Sequence, residues 1–147
     1  MAETLGMLCD KLTIAQLKQF HTEDSMRLNS LQNQIQQLQQ EINEYVVDAI
    51  AGNILPERMT FAANKVFKIE GNTVGNVTGN FGEVFYQLAQ VNCKLWHEQE
   101  KVYEFEKVPP AEKDGVVKQL ALLNLERNKC IDAINEKFME LIISKIN

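Results

Sequence analysis

The chain holds two histidines, and each stands three residues before an acid: His21 before Asp24 in LKQFHTED, and His97 before Glu100 in CKLWHEQE. Residues three apart on a helix are surface neighbours, so each pair offers an imidazole and a carboxylate side by side. Two such pairs on facing helices are ingredients of a bundle di-metal site. Helical phase argues against that reading. His97 lies two residues from both Leu95 and Gln99, on the side of its helix opposite the apolar face, taking about 100° per residue. His21 falls on an apolar seam, so the sequence predicts one inward and one outward imidazole. No metal site is expected. Nucleophilic catalysis is equally poorly served, because no Cys-His-acid set shares a face and Cys93 points about 100° away from its neighbour Asn92.

The residues with more to offer are polar ones on apolar seams. Leu28, Leu31, Ile35, Leu38, Ile42, Tyr45 and Ala49 recur at alternating steps of three and four, which marks a helix packed lengthwise on partners. The same steps continued backwards meet Asp24, His21, Leu17, Ile14 and Asp10. In a second segment, Asn92 and Gln99 fall near the face that carries Leu88 and Leu95. In a third, Asn124 and Arg127 take consecutive seam positions between Leu120 and Ile131. Buried polar groups cost a few kcal/mol unless they find partners. Several on each segment therefore imply one shared polar layer, in which an acid of the first segment partners Arg127.

Three helices must position that layer. From Leu5 to about Ala51 the chain has no proline, and its one glycine is Gly6, so a single long helix is expected, with Gly52-Asn53 as its stop and Pro56 beyond. The glutamines of Gln32–Gln40 all fall off the seam and read as a solvated face rather than low complexity. A second helix runs from Phe81 to about Lys107 and is ended by Pro109-Pro110. A third runs from about Ala111 or Asp114 to the C-terminus. Asn92 and Arg127 are equally far from the two prolines, so an antiparallel hairpin sets them, with Asn124, at one level. Residues 52–80 form an irregular connector or lid. A short helix over Glu57–Phe67 precedes the glycine-rich EGNTVGNVTGN, which suits turns and lacks the Gly-Lys-Ser/Thr of a P-loop. The whole, residues 1–147, reads as one all-α domain, an elongated helical bundle with leftover apolar stripe that a homodimer would cover.

Composition bounds the function. A net charge of −5 with no dense basic run argues against a nucleic-acid partner. No apolar run approaches the ~20 residues of a membrane span, and the N-terminus lacks the pattern of a signal peptide. Cys9, Cys93 and Cys130 have no CxxC spacing and read as reduced thiols, so the cytoplasm is the expected compartment. No cofactor is expected.

Three stretches carry a family resemblance. Asp10-Lys11-Leu12-Thr13-Ile14 followed by Leu17-Lys18 resembles the DKLTI-x-x-[IL]-K opening of a group of small, all-helical proteins from bacterial polysaccharide loci and tailed phages. Asn92-Cys93-Lys94-Leu95-Trp96 is similar to that family's N-x-x-L-W signature. Leu123-Asn124-Leu125-Glu126-Arg127, with Ile131-Asp132-Ala133-Ile134-Asn135 after it, is similar to L-N-x-x-R followed by I-D-x-I-N. The match departs at Gln99, where the family tends to have Glu, and at Tyr103, where Arg is common. The resemblance implies an all-α fold in a bacterial or phage-infected cell and no settled activity.

From these residues two functions compete. One is non-catalytic binding of a small, anionic or nucleotide-like ligand in a polar inter-helix pocket, with sequestration of a signalling molecule as a purpose. There Arg127 and Lys18 supply charge, Asn92 and Asn124 hydrogen bonds and Trp96 a stacking face, with Asp10, Lys11, His21, Asp24 and Gln99 nearby. The other is a structural or adaptor protein whose polar core only fixes register. An all-α, Mg²⁺-dependent nucleotide hydrolase built on Glu41, Glu44 and Asp48 ranks third, because those acids flank the seam as a solvated face would.

Overall fold

The computed structural model describes residues 2–62 and 77–146, and among them it is all-α. Four α-helices follow one another: α1 (Leu5–His21), α2 (Ser25–Ile50), α3 (Phe81–Tyr103) and α4 (Lys113–Ile146). No described helix is long and apolar enough to cross a membrane. The expected helix over Glu57–Phe67 is described as far as residue 62, and most of the glycine tract lies outside the described residues. Their described flanks contribute a 3-10 turn at Pro56–Arg58 and no α-helix.

The single helix expected over Leu5–Ala51 is two. Thr22 is extended, and the Asp24 carboxylate accepts from the Met26 and Arg27 N–H groups at 2.9 and 3.2 Å, which makes it the N-cap of α2. Aspartate is among the best residues for that place, worth about 1 kcal/mol over alanine. Asp24 therefore does not belong to the polar layer: it is exposed and starts a helix. The chain reverses there, and α1 and α2 form an antiparallel hairpin in which Gln19 near one end donates to Gln32 at 2.8 Å. α2 stops where expected. Gly52 takes φ 81°, and the N–H groups of Gly52 and Asn53 bond back to the Ala49 and Asp48 carbonyls, a Schellman closure that favours glycine because it needs a positive φ.

A second antiparallel hairpin pairs α3 with α4 around Pro109-Pro110, and the longest helix is α4 rather than one at the N-terminus. α1 packs against both α3 and α4, while α2 rests chiefly on α1. Leu5, Leu8 and Cys9 of α1 meet Leu88 and Val91 of α3 and Ile131, Ile134 and Phe138 of α4 in a common core. Fully burying one such large aliphatic side chain contributes about 1.5–3 kcal/mol. α1 is thus the central element, and its polar residues must be settled within the bundle.

Candidate functional site

Asp10 faces this junction and is only 4% exposed. Both of its oxygens are engaged. Arg127 of α4 grips them two-pronged, Nε to Oδ1 at 3.0 Å and Nη2 to Oδ2 at 2.6 Å. Asn92 of α3, itself buried, donates through Nδ2 to Asp10 Oδ1 at 2.9 Å and to Thr13 Oγ1 at 2.7 Å. Thr13 completes the set by donating its hydroxyl proton to the Asp10 carbonyl at 2.8 Å. Hydrogen bonding to Asp10 pushes the Arg127 guanidinium further up, burial opposes the shift, and the carboxylate's charge adds to it. Charge-assisted, two-pronged bonds of this kind are the strong ones. The layer is a shared network: three helices are tied at one level by side chains that bond each other, with the partly exposed Arg127 at its outer edge.

One turn earlier on α1, the Gly6 N–H donates to Asn135 Oδ1 of α4 at 2.7 Å. Gly6 lies in the first turn, whose N–H groups have no intrahelical acceptor, so α4 supplies one from its side chain. Spacing alone assigns no role to Gly6, Thr13 or Asn135. Thr13 and Asn135 sit inside the family-like motifs, a signal that was available. Gly6 offered only its being the one glycine in a long helical stretch.

The other candidates disperse. Asn124, expected beside Asn92 and Arg127, is exposed, because Leu123 takes the inward position and Asn124 is turned about 100° from it. Gln99, expected on the inner face of α3, is exposed as well. α1 ends at His21, level with Trp96, and past that level it no longer covers α3. Lys11 is exposed and paired with Glu3. Lys18 is exposed and lines an open groove of about 510 Å³ with Thr22, Arg27 and Leu31, beside the α1–α2 turn.

The histidines do not divide into one inward and one outward imidazole. Both are exposed, and their ring centroids stand 6.1 Å apart, edge to face. His21 lies flat against half-buried Trp96, centroids 4.9 Å apart and planes 12° from parallel. Extrapolating the α2 seam through the break at Thr22–Asp24 pointed His21 inward; the break resets the phase. One face of Trp96 is therefore covered by His21. Even with the two imidazoles close, among the described residues no group of three His, Cys, Asp or Glu side chains is placed to hold a metal ion.

No protein-family model matches the chain, and neither a curated protein nor a solved structure matches it.

The cysteines supply a direct check on the packing. Cys93 is exposed, whereas Cys9 and Cys130 are buried. Burial, helped by the neighbouring Asp10 charge, pushes the Cys9 thiol up to about 12; burial and Glu126 push Cys130 up to about 11. Below pH 9 neither buried thiol ionises in the folded chain, and the thiolate is the reactive form. An aromatic disulfide reagent at pH 8 is expected to label one thiol quickly and the other two only at the rate of unfolding. Rapid labelling of all three would contradict the α1–α4 interface.

Proposed function

We propose that this chain is a structural or adaptor helical protein whose polar layer fixes the register of α1, α3 and α4. The observation that carries this reading is the Asp10 carboxylate, buried and engaged on both oxygens by protein donors. A ligand site in a bundle keeps polar groups free to meet its guest, whereas here the polar groups meet each other. Core polar groups that select one arrangement of helices are well attested. Asp10 and Thr13 come from the first family-like motif, Asn92 from the second and Arg127 from the third, and their convergence supports kinship with the small helical proteins those motifs resemble. The homodimer belongs to the same reading, since Val47 and Ile50 stand exposed on α2 at 63% and 50%.

Binding of an anionic ligand is the second reading, and the groove that carries Lys18 and Arg27 favours it. Thermal denaturation with nucleotides, cyclic dinucleotides and nucleotide sugars separates the two. The adaptor reading expects no rise in Tm with any of them. A rise of several degrees that disappears on Lys18→Ala would replace it with the ligand reading.

A further inference from the structure

α2 places its charges the wrong way round for a helix standing alone. Its one base, Arg27, lies in the first turn, and its acids Glu41, Glu44 and Asp48 gather in the second half, with Asp48 in the last turn. A helix carries partial positive charge at its N-terminal end and partial negative charge at its C-terminal end, so each end meets a side chain of its own sign. Among the described residues none of these four side chains has an ion pair that would offset this. Residues 28–40 between them carry no charge.

The outward face of α2 has the same two-ended plan in its apolar residues. From Met26 to Val47, alternating steps of four and three pass through Ser30, Gln37 and Glu44, and every residue on them is exposed. This second heptad seam is polar in the middle and apolar at its ends, where Met26 is 81% and Val47 63% exposed. Arg27 and Asp48 each follow an end of the seam by one position, so both flank it on one side. On that side Lys18 of α1 joins Arg27 in the groove of about 510 Å³, and at the far end of the α1–α2 hairpin the three acids line a cleft of about 240 Å³.

We propose that this face docks on its own copy: two α2 helices lie antiparallel about a two-fold axis at the turn of Gln37, with Arg27 of each chain against Glu44 and Asp48 of the other. The proposal rests on the homodimer of the structural reading and names its surface. The midpoints of Met26–Val47, Arg27–Glu44 and Arg27–Asp48 all fall between residues 35 and 38, so one axis serves the apolar and the charged pairs together. A two-fold perpendicular to the helices keeps each flank against the same flank of the copy, which brings Arg27 to Asp48. It also sets each N-terminus beside acids and each C-terminus beside a base, as the helix dipoles favour. At the axis each residue meets its own kind. Like charges forbid that, and the glutamine amide, donor and acceptor at once, allows it. A small anion in the groove would leave Met26, Val47 and the acids uncovered; a second copy covers them all.

Sedimentation equilibrium of the full chain over a concentration series tests the idea. A monomer–dimer equilibrium that weakens with added salt is expected. Arg27→Glu is expected to weaken it about tenfold or more with the helical circular dichroism unchanged. Arg27→Glu combined with Glu44→Lys and Asp48→Lys exchanges the two ends, and is expected to restore dimerisation to within about threefold of the parent. In a Cys93→Ser background, a short bis-maleimide is expected to join Gln37→Cys to its copy and to leave Tyr103→Cys on exposed α3 single. A parent monomeric at every concentration overturns the proposal. So does a dimer that Arg27→Glu leaves intact, one that the charge exchange fails to restore, or one joined equally through Tyr103→Cys. None of these substitutions falls on Asp10, Asn92 or Arg127, so such a result leaves the register of α1, α3 and α4 standing; the structural reading fails separately, by a nucleotide-dependent rise in Tm.

Discussion

Replacing Arg127 by leucine is expected to remove about 3 kcal/mol of stability, the low end of the range for breaking one side of a buried ion pair, because the Arg127 side chain is 32% exposed. The cause is what remains behind. Asp10 is 4% exposed, and without the guanidinium its carboxylate keeps Asn92 as its one side-chain donor among the described residues. For a chain of 147 residues that loss lowers Tm by roughly 10 °C or more. Asp10→Leu combined with Arg127→Leu is expected to recover most of the loss, since the uncompensated charge is gone and Asn92 retains Thr13 as an acceptor. Chemical denaturation of both variants and the parent measures the coupling. If the single variant costs less than about 0.5 kcal/mol, within the range of ordinary surface substitutions, the network is not holding the bundle. Because ion pairs of this kind trade poorly against apolar packing, the double variant also isolates the register role. A stable double variant with altered helix packing means the layer serves specificity rather than net stability.

The same residues show how far the sequence could be read. A polar residue on an apolar seam has two explanations: it meets a partner inside, or the helix ends there. Asp10 is the first kind and Asp24 the second, and spacing alone does not separate them. The three-four rhythm runs through Thr22–Asp24 unbroken, so the seam looked continuous where the backbone turns back. A seam taken as continuous joins two helices, turns His21 inward and separates two imidazoles that stand side by side. By contrast, Asn92 and Arg127 were legible as neighbours from their equal distance to Pro109-Pro110, because a proline-closed hairpin fixes the level of both arms. They meet through Asp10 rather than directly. Asn124 misled because a helix stripe one residue wide cannot be told from its neighbour by spacing when leucines occupy both, as Leu122 and Leu123 do beside it. A cleft of about 240 Å³ lined by Glu3, Glu41, Glu44 and Asp48 was half legible. Glu41, Glu44 and Asp48 were visible as a row, but Glu3 joins them only through the fold of α1 onto α2.

Gly6 was the least legible residue, and its replacement by alanine is expected to be the most damaging small change in the chain. A Cβ at Gly6 would sit inside van der Waals contact with the Ile131 carbonyl oxygen and 2.8 Å from Asn135 Oδ1. Neither neighbour can easily give way: one is helix backbone, and the other holds the Gly6 N–H at 2.7 Å. α1 must therefore move off α4, which lengthens that bond and displaces Asp10, one turn further along the same face, from Arg127. Overpacking in a well-filled interior costs about 1–3 kcal/mol, and the attached network places Gly6→Ala at the top of that range. Gly115 is the internal control. It is exposed in the first turn of α4, and a Cβ there meets nothing within 4 Å, so Gly115→Ala is expected to stabilise by roughly 0.5 kcal/mol from helix propensity alone. Opposite signs for the same substitution can arise only if helix preference is constant and the neighbour differs. A Gly6→Ala protein as stable as its parent would mean that α1 and α4 do not approach this closely, and the alignment of Asp10 with Arg127 would have to be sought at another register.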